Sequence, residues 1–140
     1  MKKQIAFDTA SVVVRLRYPE TIEPMYKIYN NEIQNLSRDE INSDGYVVHS
    51  LEAAIWCLHN EFTYKSAVLE AVNLGSDTDT TAAITGGLAG LLYQDIPEEW
   101  IDQLQKKDMI LNIIEKFERL FDAYKTKEIK WTLKTYFYKK

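Results

Sequence analysis

Between Asn73 and Gly90 the chain reads NLGSDTDTTAAITGGLAG, with Asp77 and Asp79 two positions apart. Carboxylates that close repel one another, and capping a helix requires only one of them. Ser76, Thr78, Thr80 and Thr81 add hydroxyl oxygens within the same turn. Crowded carboxylate and hydroxyl oxygens suit a hard cation such as Mg²⁺, Mn²⁺ or Ca²⁺, not a thiolate-binding metal. A structural reading accounts for the same residues. Gly75 can close one helix in the left-handed conformation, and Thr78, Asp79 or Thr80 can cap the next, whose positive end favours carboxylates. On the residues alone, both readings stand.

The stretch past the acids narrows the packing. Ala82, Ala83, Gly86, Gly87, Ala89 and Gly90 make a run of small residues. Each glycine inside a helix costs up to ~1 kcal/mol, so close approach of neighbouring helices at Gly86 and Gly87 is the expected compensation. Upstream, Asn42-Ser43-Asp44-Gly45 reads as a turn, followed by Tyr46 and a helix over His49–His59. Leu51, Ala54, Ile55 and Leu58 form its apolar face at the helical period. His49 has no orienting partner evident in the sequence and reads as a structural histidine. His59 falls at a helix end, and Cys57, between Trp56 and Leu58, reads as a packed thiol and not a nucleophile.

Three quoted stretches together, SDGYVVHSLEAAIWCL, NLGSDTDTTAAITGGLAG and IPEEWIDQL, resemble the C-terminal part of the ADP-ribosylglycohydrolase family, which includes the dinitrogenase reductase-activating glycohydrolases. The resemblance covers residues 43–121. It implies an all-α fold, an orthogonal helical bundle, and metal-dependent removal of ADP-ribose from a modified protein side chain or a related compound. It also implies two Mg²⁺ or Mn²⁺ ions, with the family's D-x-D-T ligands falling on Asp77, Asp79 and Thr80. Asp77 and Asp79 would then be the catalytic carboxylates, and Gly45 and Tyr46 would lie at the rim of the ADP-ribose pocket. The family's first-half motifs, G-D-x-x-G and Thr-Asp-Asp, do not occur in these 140 residues; Asp8-Thr9 and Asp39-Glu40 are the nearest pairs. The expectation is therefore a truncated bundle holding half an active site. It would act as a hydrolase with a second polypeptide or another copy of itself, or else as a binding or assembly module.

The elements that must position these residues are helical. The chain reads as a single domain over 1–140, long enough to bury about two thirds of its unfolded surface, with Asn73–Gly90 at its centre. Val12-Val13-Val14 allows a strand or a buried helix over residues 4–18, and Pro19 and Pro24 break any long helix. Tyr26–Leu36 has helical spacing, and Tyr64–Leu74 forms a helix capped by Thr63. Pro97 opens the next helix, and Asp108 caps a last one carrying Ile110, Ile113, Ile114, Phe117, Leu120, Phe121 and Tyr124 on one face. Residues 125–140 form a basic aromatic tail with six lysines and one glutamate, readable as helix or strand. A net charge of −4 argues against nucleic acid as the main partner. No apolar run approaches a membrane span, and a lone cysteine points to a reducing cytoplasm.

Overall fold

The computed structural model describes the backbone of residues 2–19 and 25–137, with side chains for 3–19 and 25–125. Pro24 and the tail's side chains beyond Lys125 lie outside the described residues. Among the described residues every regular element is helical. They fall into two compact units, Met1–Pro97 and Glu98–Lys140. Among the described residues no helix is long and apolar enough to cross a membrane.

The first unit contains α1 (Lys2–Arg17), α2 (Tyr26–Tyr29), α3 (Val47–Asn60), α4 (Tyr64–Asn73) and α5 (Thr78–Tyr93). Two 3-10 turns, Ile33–Asn35 and Arg38–Glu40, join α2 to α3. The open choice over residues 4–18 resolves to helix. The spacing from Tyr26 to Leu36 overreached: α2 stops at Tyr29, because Asn31 takes φ +58° and breaks the ladder.

The centre of this unit is α3, not the Asn73–Gly90 stretch. Ala53, Ala54, Ile55, Trp56, Cys57 and Leu58 are all buried, so the helix is enclosed on every side and not along one face. By contrast α5 buries only Thr81, Thr85 and Ala89, four apart, and exposes Leu88 and Leu91. Packing α5 along α3 and α4 through that narrow stripe explains its small residues. A Cβ added at Gly86 would meet Tyr64 Oη at 3.3 Å and Val68 Cγ2 at 3.6 Å. At Gly87 it would meet nothing within 4 Å, so the close approach belongs to Gly86 and not to Gly87.

Side chains tie the helix ends. Lys3 Nζ donates to the carbonyls of Leu58, His59 and Glu61 at 2.7, 3.0 and 3.0 Å. A cation there satisfies the terminal carbonyls of α3 and matches the negative end of its dipole. Tyr93 Oη donates to Glu61 O at 2.6 Å, fixing the end of α5 to the same turn. Thr63 caps α4 as its position suggests, accepting the Ser66 N–H at 3.1 Å. Burial pushes the Cys57 thiol up to about 12, which agrees with a packed, inert cysteine.

The second unit holds α6 (Glu98–Asp102) and the 31-residue α7 (Lys107–Phe137). Pro97 directly precedes α6, and Asp108, expected as the cap of α7, lies inside its first turn, two places past the cap position. The tail's backbone is helical as far as Phe137.

Candidate metal and ligand site at two helix starts

Two loops meet where α3 and α5 begin. Ser43 belongs to the first and is buried; its carbonyl accepts the Asp77 N–H at 2.8 Å. Its hydroxyl donates to Gly75 O at 3.0 Å. These two bonds zip residues 43–46 to residues 75–77, placing Gly45 and Asp77 side by side.

Gly45 has φ +81°, a conformation that side chains rarely adopt. A Cβ at Gly45 would lie 2.5 Å from Asp77 Oδ2. The turn and the carboxylate therefore require glycine for two independent reasons. Gly75, at φ +85°, closes α4 in the left-handed conformation as its position suggests. The next residue, Ser76, also has positive φ, at +55°, which is uncommon and costly for a residue with a side chain.

The cap is Asp77 and not Thr78, Asp79 or Thr80. Helix α5 starts at Thr78, yet the Asp77 side chain makes no cap hydrogen bond. Its carboxylate lies over Gly45 and interacts with the Asp79 side chain. That contact, with backbone N–H groups of Thr80 and Asp79 adding to it, holds the Asp79 carboxyl below its ordinary range. Asp79 and Thr80 are exposed at the open end of α5. Thr81 lies inward, and its buried hydroxyl has no hydrogen-bond partner, leaving one more oxygen within a turn of the acids.

The donor set suits a hard divalent cation: two carboxylates two residues apart, threonine hydroxyls nearby, no sulfur or imidazole ligand among them. It does not enclose one. No group of three or more His, Cys, Asp or Glu side chains converges among the described residues. Asp8 accepts hydrogen bonds from Gln4 and Asn31, and Glu40 accepts the backbone N–H and hydroxyl of Ser37. Those acids serve local structure.

Tyr46 is the residue before α3 and is 55% exposed. The Tyr46 side chain makes no cap hydrogen bond, and Val47 is exposed at the positive end of the helix dipole. Sequence reasoning missed two residues here. Asp44 Oδ1 accepts the Tyr46 N–H at 3.1 Å and bonds His49 Nδ1 at 2.9 Å. That side-chain bond, first among its causes, lowers the Asp44 carboxyl below its ordinary range. His49 thus has the orienting partner its sequence surroundings seemed to lack; the five-residue spacing from a turn aspartate was the available signal. Ser43, a buried serine in a polar turn, carried no signal of its own.

The sequence model described as ADP-ribosylglycohydrolase matches residues 5–129. The ADP-ribosylarginine hydrolase of Serratia proteamaculans is 45% identical over 86 residues, which are 60% of this chain and 24% of that protein. The ADP-ribosylarginine hydrolase of Pseudomonas putida is 39% identical over 105 residues, 73% of this chain and 28% of that one. The ADP-ribosyl-[dinitrogen reductase] glycohydrolase of Rhodospirillum rubrum is 37% identical over 67 residues, 46% and 23%. The matched stretch spans about a quarter of each relative's length.

Proposed function

Because the chain belongs to the ADP-ribosylglycohydrolase family, we propose that it carries the D-x-D-T part of a metal-dependent site that hydrolyses ADP-ribosyl bonds. ADP-ribosylated arginine is the favoured substrate, on the names of two of its relatives. The observation that carries this reading is the Asp77 carboxylate, which stands at the cap position without capping and lies over Gly45.

In this reading Asp77 and Asp79 hold Mg²⁺ or Mn²⁺, and Thr80 adds a neutral oxygen. Bound there, such ions orient the ribose and offset charge developing at the anomeric carbon. Gly45 keeps the Asp77 carboxylate uncovered, and Tyr46 offers its exposed ring to the ligand. The open start of α3 favours the negative charge of a pyrophosphate. A two-ion clamp requires more oxygens than these side chains offer, so the remaining ligands come from outside these 140 residues. The buried lone cysteine suits a reducing cytoplasm.

The test is release of ADP-ribose from an ADP-ribosylarginine peptide with Mg²⁺ or Mn²⁺. We expect none from the 140-residue chain alone. Turnover should appear when a polypeptide bearing G-D-x-x-G and Thr-Asp-Asp motifs is added, and Asp79→Ala should abolish it. Turnover indifferent to Asp79→Ala would contradict the assignment. The absence of a third converging acid among the described residues favours a second reading, a module that binds ADP-ribosyl groups without cleaving them. Ligand binding with no turnover in any combination would select it.

A further inference from the structure

We infer that Asp44 and His49 are positioning residues, a surface clamp that holds Tyr46 against the ligand; the inference deepens the reading above and rests on it. Three contacts close the clamp. Asp44 Oδ1 takes the Tyr46 N–H at 3.1 Å, fixing the backbone that carries the ring. The same oxygen bonds His49 Nδ1 at 2.9 Å. The His49 ring then meets the Tyr46 ring edge to face, with centroids 5.1 Å apart and planes at 82°.

Exposure argues against a purely structural purpose. The Asp44 and His49 side chains are 57% and 30% exposed, and Tyr46 is 55% exposed. A solvent-screened pair of this kind contributes little to folding. What it fixes is the direction of an aromatic ring that otherwise has no core to hold it. That ring follows Gly45, where an added Cβ would lie 2.5 Å from Asp77 Oδ2, so the clamp holds an aromatic ring one residue from the Asp77 contact. A tyrosine ring placed in advance binds a planar or sugar ring with less ordering cost. The clamp therefore serves recognition of the ADP-ribosyl group, and neither of its members touches the reacting bond.

The experiment uses the chain with Mg²⁺, reading amide exchange at Tyr46 and ADP-ribose affinity by NMR titration, beside a thermal melt. His49→Asn keeps a nitrogen donor where Nδ1 stood and loses the ring. His49→Phe keeps the ring and loses the donor, and Asp44→Ala removes the shared acceptor. We expect Asp44→Ala and His49→Phe each to speed Tyr46 exchange and weaken ADP-ribose binding about tenfold, with the melt unchanged. His49→Asn, which keeps the donor and loses the ring contact, should retain the exchange protection and only part of the affinity. Unchanged Tyr46 exchange in Asp44→Ala and His49→Phe would overturn the clamp, as would faster exchange with undiminished affinity. A wild-type chain that fails to bind ADP-ribose would instead overturn the proposed function, and the exchange result would still decide whether the clamp exists.

Discussion

Asp77 and Gly45 form the tightest pair in the site, and each accounts for the other. An N-cap aspartate ordinarily accepts a helix N–H, whereas this one is turned away over the glycine of a neighbouring loop. Gly45→Ala would place a methyl group 2.5 Å from Oδ2 at a backbone angle of φ +81°. The expected cost is at least ~1–2 kcal/mol from the left-handed backbone alone, seen as a lower melting temperature, together with loss of metal binding. Cys57 makes the opposite case, a reactive residue type held inert. With its thiol pushed up to about 12 by burial, it should resist alkylation near neutral pH until denaturant is added. Rapid labelling of the native chain would contradict that. At this scale the sequence was informative where a residue type has few uses. Glycine at positions 45 and 75 and the paired acids were legible. The Asp44–His49 bond was not, since a turn aspartate and a helix histidine each have a sufficient local explanation.

Packing of the helices depends on small residues on one side of α5 and on a full enclosure of α3. Gly86 faces Tyr64 and Val68, so Gly86→Val should destabilise by ~1–3 kcal/mol through overpacking. Gly87 has open space at its Cβ, and Gly87→Ala should stabilise by up to ~1 kcal/mol on helix propensity. Equal melts for the two variants would show that α5 is not seated on α4 as described. The C-terminal end of α3 adds a pH dependence. His59 stacks on Phe7 with ring centroids 4.3 Å apart, and burial, then the nearby Lys3 charge, lower its pKa from 6.5. A depressed pKa means that the unfolded chain binds the proton more readily. Stability from the neutral ring is thus present above pH 6.5 and is lost as pH falls below it. His59→Phe should flatten the fall in melting temperature between about pH 6.5 and 5, and an unaltered slope would contradict the assignment. The helices themselves were legible from periodicity and caps, Thr63 above all. Which helix lies at the centre was not. Thr81, Thr85 and Ala89 are too small and polar to mark a buried stripe, and the period of α3 hides an environment that encloses it on every side.

As a whole, the chain brings together at one place the starts of two helices, a pair of neighbouring carboxylates and an exposed aromatic residue. The motif that carries the resemblance, from Asn73 to Gly90, is also the motif whose geometry departs from simple capping. That agreement between a sequence signature and an unused cap is what the functional reading depends on. Sequence alone could not show the coupling of residues 43–46 to 75–77, because it runs through backbone carbonyls and one buried serine. The most direct test is a Mn²⁺ titration followed by paramagnetic broadening of the backbone amides. The account predicts broadening centred on Gly45, Asp77, Asp79 and Thr80, abolished in the Asp77→Asn/Asp79→Asn double variant while the fold is retained. Broadening centred elsewhere, or surviving both substitutions, would contradict it.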